Sequence, residues 1–381
     1  MAVEITEPTA DFNIEVGEES APHEPSTLFP KIGGNMNEFV QNYHFHTKHI
    51  STVGHNALID TKANTIVPLI GTVKLHGTHA DLVVYSNDKI LIQSRNLQEL
   101  TAEHDNLDTY KMLAPLRPEI LKLRDRYHAR FKELNPTTPI EDSHPTIIAG
   151  EWVGPKIQKR VALAQLEKRV FVILCVSINN KWLSDMPYQD IHDEENGFYN
   201  VSKGGFYHNY IDINDHEGSK KRLQIPTLEV EKECPFTKTF NISGMGEGIV
   251  WKTYHPLGAD AKFWIKTKGH LHRVTDHDKI TEHDAKQSQK EKVGSFVEAT
   301  VTENRLVQGW DYMAEMGHVR DKMGVQVFIG WVYGDIMEEE RSLLAEMELV
   351  EFDVRNRIGG AAARWYLEKL KTWNAGEEEG L

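Results

Sequence analysis

Residues 66–85 read IVPLIGTVKLHGTHADLVVY, and this stretch decides the predicted fold. It places Lys74 between an apolar segment, Ile66–Ile70, and an alternating strand, Ala80–Tyr85, with Gly77 at the turn. A lysine just before a glycine turn between two strands is rigidly aimed and partly desolvated. Desolvation lowers the pKa of an amine and makes its neutral, nucleophilic form available. The stretch therefore suggests a nucleophilic lysine, although a surface lysine at a hairpin is the simpler interpretation of this motif alone.

The bulk composition limits the class of protein. The chain has 381 residues, which at about 150 residues per domain suggests two domains. Its 57 acidic residues exceed its 43 Lys and Arg residues, which argues against a protein coated by nucleic acid but allows a local basic groove. The 2 cysteines make a disulfide scaffold unexpected, and no apolar run approaches the roughly 20 residues of a membrane helix. We expect a monomer in the cytoplasm or nucleus, with no membrane partner.

The pattern of apolar residues divides the chain into three parts. Residues 1–27 are rich in Glu, Pro, Ser and Thr and are expected to form a disordered acidic tail. Residues 28–285 read mostly as short strands, and residues 286–381 read as a small all-α C-terminal domain, so the predicted fold class is α+β. The clearest strands are Ala80–Tyr85, Lys89–Gln93, Thr146–Ala149, Val170–Ile178 and Gly248–Thr253. The predicted helices are Pro118–Leu134, Asn304–Gly317, one with a capping-box-like start at Asp335–Glu338, and Arg355–Trp373.

Four further segments place charged side chains at strand ends or beside glycines. Arg95 closes a predicted strand, and Glu151 and Glu247 each lie next to a glycine. Lys266 and Lys268 are two residues apart, so a strand presents both ammonium groups on one face, where they suit a phosphate. Glu247 at the start of a strand suits a metal or an orienting role. Each of these features alone also fits a turn or an exposed edge.

The order of these motifs is more informative than any one of them. From Lys74 onward the chain shows Lys-x-x-Gly, Ser-Arg, Gly-Glu-x-x-Gly, Glu-Gly-x-Val-x-Lys and Lys-x-Lys. This order resembles the covalent nucleotidyltransferase superfamily of DNA ligases, RNA ligases and mRNA capping enzymes. The form from Lys74 to Thr78 looks like the RNA ligase branch, particularly the phage-type nick-sealing RNA ligases. The resemblance implies an adenylyltransferase domain with mixed and antiparallel sheets, of the ATP-grasp-like ligase kind.

The resemblance also implies roles for individual residues. Lys74 would accept AMP from ATP as a lysyl-AMP, and Glu247 would help bind the metal and orient the lysine. Lys266 and Lys268 would neutralise the α-phosphate, and His76 would act in the later sealing steps. The residues implied to bind the nucleotide are Arg95, which would contact the nucleotide or the phosphates near it, Glu151 at the ribose and Lys252 near the phosphate groove.

One position departs from the family pattern. The family has an aromatic residue that stacks on adenine, in the strand after Gly-Glu-x-x-Gly. Here that strand contains Val170–Cys175, and the usual alignment puts Leu174 at the stacking position, while Phe171 points to the opposite face. Either Phe171 stacks on the base through a shifted register, or an aliphatic side chain covers it.

The resemblance implies an ATP-dependent RNA ligase that joins 5′-phosphate and 3′-hydroxyl RNA ends, as in RNA repair. Its cofactors would be ATP and Mg²⁺, with Mn²⁺ as an alternative ion. Three other functions stay open: a DNA ligase, a capping-type guanylyltransferase and a non-catalytic RNA-binding descendant. His76 counts against a capping enzyme, which usually shows Lys-x-Asp-Gly. The helical residue pattern after Gly294 counts against a DNA ligase, which would normally have an OB-fold there. The retained motif residues count against a non-catalytic protein.

Overall fold

Ten strands lie within the part of the chain that the structure describes and form its body. The computed structural model describes residues 29–53, 65–276, 279 and 288–378, so the predicted tail over residues 1–27 and the predicted boundary at 285 lie outside them. The five strands predicted from sequence are confirmed. The strands are β1 (Ile66–Lys74), β2 (Thr78–Val84), β3 (Ile90–Ser94), β4 (Thr146–Val153), β5 (Val170–Ile178), β6 (Lys181–Trp182), β7 (Phe198–Asn200), β8 (Tyr207–Asp212), β9 (Gly248–Thr253) and β10 (Trp264–Lys268).

The strands form two sheets whose pairings are antiparallel except for one. The first sheet has the order β10-β9-β1-β8, and the second has the order β3-β2-β4-β5-β6, with β7 parallel to β5. In the first sheet Lys74 pairs with Gly248, which in turn pairs with Lys268. Directly paired residues share a face, so this register puts the side chains of Lys74 and Lys268 on the same side of the sheet.

Helices cover the sheets and continue beyond them. The helix predicted over Pro118–Leu134 is confirmed as α3. The helices are α1 (Met36–Val53), α2 (Thr109–Leu113), α3 (Arg117–Leu134), α4 (His216–Lys232), α5 (Pro235–Lys238), α6 (Gln289–Thr300), α7 (Glu303–Glu315), α8 (Val325–Glu339), α9 (Arg341–Glu346) and α10 (Glu351–Glu378). We call α6–α10 the helical unit. The predicted α+β class, with antiparallel sheets followed by helices, is therefore confirmed.

The first sheet is apolar on the face opposite Lys74. Ile249 and Trp251 of β9 are fully buried there, in one cluster with Phe39 of α1 and Leu223 of α4. Burial of these four apolar side chains holds the sheet against α1 and α4, two helices that the sequence pattern did not predict. The polar side chains of Lys74 and its neighbours are thereby left on the other face.

The helical unit has a core of its own, and one predicted helix start in it is wrong. Its buried cluster includes Phe296, Trp310, Phe328 and Tyr366. The segment Asp335–Glu338 does not begin a helix, because α8 begins at Val325 and ends just after it. The Asp335 carboxylate accepts a hydrogen bond from Arg305 at 2.9 Å, so it is an ion-pair partner and not a helix cap.

No helix in the described ranges has the length and apolar character needed to cross a membrane.

Candidate active site

Lys74, Glu247 and Lys268 meet at the end of the first sheet. The Lys74 Nζ atom lies 2.6 Å from Glu247 Oε2, and the Lys268 Nζ atom lies 3.0 Å from Glu247 Oε1. The Glu247 side chain is only 1% exposed, whereas both lysines are half-buried. One buried carboxylate thus bridges two ammonium groups, and one of them belongs to the predicted nucleophile.

Gly248 explains how Glu247 reaches this position. A Cβ atom at Gly248 would lie 2.0 Å from the carbonyl oxygen of Thr267, so only glycine permits β9 to start this close to β10. The Glu247 carbonyl accepts a hydrogen bond from Gly269 N–H at 3.0 Å, which extends the pairing by one residue. The Glu-Gly pair of the sequence motif is therefore a strand entry that aims a carboxylate at the sheet face.

The charges of this cluster shift one another's pKa values. Burial alone would raise the pKa of Glu247, but Lys74, Lys268 and His76 outweigh it and hold that pKa well below 4.5. Burial alone would lower the pKa of Lys268, and the Glu247 carboxylate instead raises it above 10.5. Both groups are therefore charged at neutral pH, and the site carries a fixed ion-pair network.

His76 joins the same carboxylate. Its Nδ1 atom lies 3.3 Å from Glu247 Oε2, and its ring centroid lies 5.2 Å from that of His272. The His272 Nε2 atom is buried and has no hydrogen-bond partner among the described residues. The structure thus places a second imidazole, that of His272, beside His76, and the motif indicates only His76.

Glu151 shapes the turn that follows Lys74. Its Oε1 atom accepts a hydrogen bond from the Gly77 N–H at 2.9 Å. A Cβ atom at Gly77 would lie 2.3 Å from the carbonyl oxygen of Trp152, so the turn packs directly on the backbone of β4. The sequence spacing gives no sign of this contact, which links the Lys-x-x-Gly and Gly-Glu-x-x-Gly motifs.

Arg95 lies at the end of β3, beside the first described residue. Its guanidinium donates a hydrogen bond to the Phe29 carbonyl at 3.4 Å and lies 5.8 Å from the centre of the Phe29 ring. Asn96, next in the chain, donates to Glu315 of α7 at 2.6 Å. The Ser-Arg motif is therefore in contact with both the N-terminal segment and the helical unit.

Lys266 is bound to the helical unit. Lys266 lies two residues before Lys268 in β10 and therefore on the same face of the sheet. Its register partner in β9 is Val250. Its Nζ atom lies 3.0 Å from Glu339 Oε1 at the end of α8. Burial lowers the pKa of Lys266, and the carboxylate only partly offsets that effect. The sequence gives no signal for Glu339, which is 73 residues away in the chain.

Lys252 is not brought to Lys74. It lies four residues beyond Gly248 in β9, about 13 Å along the strand at roughly 3.3 Å per residue. Its Nζ atom forms a buried ion pair with Asp185 at 2.8 Å and lies 4.6 Å from the centre of the Trp264 ring. In this structure the Lys252 ion pair joins β9 to the segment that follows β6.

Phe171 is also placed away from the site surface. Its side chain is 0% exposed, and its ring lies 5.8 Å from that of Phe198 in the core. A Cβ atom at Gly150 would lie 2.3 Å from the Phe171 ring, so the glycine at position 150 is what leaves room for that ring. Leu174 is half-buried at the irregularity where β5 changes register against β4. The structure offers no exposed face of Phe171 for stacking on a base.

The family model for RNA ligase matches residues 67–268, more than half of the chain. The chain belongs to the RNA ligase family. The predicted family resemblance is thereby confirmed, and the match begins in β1 and ends at Lys268. It includes all the motifs from Lys74 to the lysine pair and excludes the helical unit.

The solved structures that resemble this RNA ligase family member include several of the RNA ligase of Naegleria gruberi. A mutant with AMP and Mn has 15% identity and a TM-score of 0.37, covering 66% of this chain and 58% of that one. Another mutant with ATP and Mn has 16% identity and a TM-score of 0.35, covering 64% and 58%. The present chain thus spans less than two thirds of these relatives' length. No curated protein sequence matches it.

The described residues offer few protein groups that could bind a metal ion at this RNA ligase site. The described residues contain no group of three His, Cys, Asp or Glu side chains that could hold a metal ion. Glu247 is the carboxylate nearest to Lys74, and both of its oxygens already contact cationic groups. Mg²⁺ usually retains waters and binds through one or two carboxylates plus substrate phosphates. An ion of that kind would need no more than one or two protein carboxylates at this site, and Glu247 is present there.

Proposed function

We propose that the chain is an ATP-dependent RNA ligase that joins 5′-phosphate and 3′-hydroxyl RNA ends through a lysyl-AMP at Lys74. The observation that carries this proposal is the contact of Lys74 with Glu247, with Lys268 on the same carboxylate. A lysine is thereby held beside a second ammonium group that can receive a phosphate. The family match supports RNA as the polymer.

In the first proposed step the neutral Lys74 amine attacks the α-phosphorus of ATP. A phosphorus–nitrogen bond forms, the bond to the β-phosphate oxygen breaks, and pyrophosphate leaves. Negative charge gathers on the α-phosphate oxygens in the transition state. Lys268 and Lys266 share one face of β10 and would neutralise that charge. Glu247 holds the Lys74 ammonium in line until it releases one proton to solvent, and the nitrogen releases a second proton to solvent as the phosphorus–nitrogen bond forms.

In the second proposed step a 5′-phosphate oxygen of RNA attacks the phosphorus of the lysyl-AMP. The phosphorus–nitrogen bond breaks, Lys74 recovers its amine, and the RNA carries a 5′-linked AMP. In the third step the 3′-hydroxyl of the other end attacks the RNA phosphate and AMP leaves. His76, whose Nδ1 atom lies 3.3 Å from Glu247 Oε2, is proposed to act in this last step.

Glu151 and Arg95 are proposed to hold the nucleotide. Glu151 is fixed to the Gly77 turn, so a ribose bound to it would be in register with Lys74. Arg95 is half-buried beside Phe29 and would contact the nucleotide or its phosphates. Mg²⁺ bound by Glu247 and phosphate oxygens would supply further charge neutralisation. Lys252 and Phe171 are left out of this proposed binding set, because Lys252 is ion-paired with Asp185 and the Phe171 side chain is fully buried.

We also propose that the chain divides functionally at about residue 285. The adenylyltransferase domain would carry the chemistry, and the helical unit would grip the RNA end. The helical unit has a separate core and contacts the Ser-Arg and Lys-x-Lys motifs.

A sealing assay tests this function. The protein is incubated with Mg²⁺, ATP and 5′-phosphorylated RNA as a nicked duplex, a hairpin or single strands. We expect joined RNA with ATP, none with GTP, and an adenylylated RNA intermediate on at least one substrate. Covalent labelling from GTP instead would favour a capping-type enzyme, and sealing of DNA but not RNA would favour a DNA ligase. RNA binding without labelling or sealing would favour the non-catalytic descendant.

A further inference from the structure

An ion-pair cluster joins Lys266 to the end of α8. Glu339 contacts Lys266 at 3.0 Å, Arg305 at 3.2 Å and Lys31 at 3.8 Å. Its side chain is mostly buried, and the charges of its cationic neighbours hold its pKa far below 4.5 although burial alone would raise it. Glu339 is therefore a carboxylate of the helical unit that forms an ion pair with Lys266, a lysine proposed to bind phosphate.

Two of the three cations that contact Glu339, Arg305 and Lys31, also contact other carboxylates. Arg305 also contacts Asp335 at 2.9 Å and Glu340 at 3.1 Å. Lys31 also contacts Asp335 at 3.2 Å and Glu338 at 3.0 Å. Glu339 itself would keep Arg305 and Lys31 if Lys266 moved away.

Breaking the contact between Lys266 and Glu339 therefore leaves neither charge unpaired when a phosphate is present. Breaking a buried ion pair is costly mainly because it strands one charge without a partner. Here Lys266 would exchange a carboxylate for a phosphate oxygen, and Glu339 would stay neutralised by Arg305. The exchange is thus electrostatically balanced on both sides.

We propose that Glu339 is a positioning residue for the first step, which holds Lys266 before ATP binds and gives it up to the nucleotide phosphates. This inference rests on the proposed function of Lys266. Glu339 acts through Lys266 and competes with ATP for it. The competition raises the ATP concentration needed to form the lysyl-AMP, and it couples nucleotide binding to the contact between the helical unit and the sheet.

The test measures lysyl-AMP formation as a function of ATP concentration in the full chain. In Glu339→Gln the competing charge is gone, while Asp335 and Glu340 keep Arg305 paired. We expect the half-saturating ATP concentration to fall by about threefold to tenfold, with the rate at saturating ATP changed by less than about twofold. A residue with only a structural role would not lower the half-saturating concentration.

Two matched variants separate competition from other effects. Glu338→Gln removes the same charge from the same helix, but that side chain is 65% exposed and contacts Lys31. Glu315→Gln alters another contact of the helical unit, in which the partners are the neutral Ser94 and Asn96. Both should leave the half-saturating ATP concentration within about twofold of the wild type.

Glu339→Asp keeps the charge near Arg305 but shortens the side chain, so it decides the matter if Glu339→Gln does not fold. It should shift the half-saturating concentration in the same direction by a smaller factor. An unchanged or increased half-saturating concentration in the folded Glu339 variants would overturn the inference. Failure of the wild type to label with ATP would instead overturn the proposed function, so the two failures are distinguishable.

Discussion

Glu247 Oε2 lies 2.6 Å from Lys74 Nζ, although 173 residues separate them in the chain. The pairing of β1 with β9 creates this contact, because Lys74 and Gly248 are register partners. The same sheet then brings Lys268 to the other oxygen of Glu247. The proposed nucleophile, the carboxylate that contacts it and a proposed phosphate-binding lysine are thus assembled by three neighbouring strands.

The stability that Glu247 contributes should be constant near neutral pH and should be lost in acid. Its folded pKa is held well below 4.5, so its contribution is present above the unfolded pKa and is lost as the pH falls through the folded pKa. We expect Glu247→Gln to lower the free energy of unfolding by about 3 kcal/mol at pH 7, because Lys74 and Lys268 lose their shared partner. Denaturant unfolding of both proteins from pH 8 to pH 3 should show a constant difference above about pH 5 that shrinks below it. A difference already shrinking at pH 7 would mean that the pKa of Glu247 is raised.

Gly77→Ala should damage both the fold and the site. The new Cβ would lie 2.3 Å from the Trp152 carbonyl oxygen, and backbone cannot yield as a flexible side chain does. We expect a loss of about 1–3 kcal/mol in the free energy of unfolding and a loss of lysyl-AMP formation of at least about tenfold in the folded fraction. Thermal unfolding and labelling with ATP measure the two effects.

Gly330→Ala is the control for this change. Gly330 lies within α8, and a Cβ there meets no heavy atom within 4 Å among the described residues. This substitution should be neutral or stabilise the protein by up to about 1 kcal/mol, because alanine favours helix. Equal damage from both substitutions would contradict the proposed packing of the Gly77 turn.

Lys252→Met should act on stability. It would leave the Asp185 carboxylate buried without its partner at 2.8 Å, which costs about 3–5 kcal/mol for pairs of this kind. Adding Asp185→Asn to Lys252→Met should recover part of that loss, since the stranded charge is then removed. A double-mutant cycle by denaturant unfolding measures the coupling. Additive losses would show that the two side chains do not depend on each other.

His76→Ala should separate the steps of the reaction. His76 contacts Glu247 but is proposed to act in sealing, so lysyl-AMP formation should fall much less than the joining of ends. Sealing of RNA that already carries a 5′-linked AMP isolates the last step. We expect a loss of about 100-fold or more in that assay, in line with the removal of a transition-state contact. Equal losses in labelling and sealing would place His76 in the first step instead.

The sequence predicted the strands that carry the motifs, because each is a short Val- and Ile-rich run between turns. It also predicted the sharing of one face by Lys266 and Lys268, since that follows from the two-residue period of a strand. Helices α1 and α4 were missed. Both pack against a sheet that assembles from distant segments, and α4 contains an internal proline. Their stability comes from tertiary burial more than from local propensity.

Within the candidate site, the ordered motifs predicted the residues but not all of their partners. The pairing of Lys252 with Asp185 spans 67 residues, and that of Lys266 with Glu339 spans 73. No local pattern encodes such contacts. The buried position of Phe171 depends on the glycine opposite it at position 150, which only the strand register reveals.

Covalent labelling of Lys74 tests the central claim most directly. The protein is incubated with Mg²⁺ and ATP labelled at the α-phosphate or the γ-phosphate, denatured, and examined for label that stays on the chain. The contact of Lys74 with Glu247 predicts acid-labile label from the α-phosphate only, and none in a folded Lys74→Ala variant. Label of wild-type intensity in that variant, or no label in the folded wild type, would contradict a lysyl-AMP at position 74.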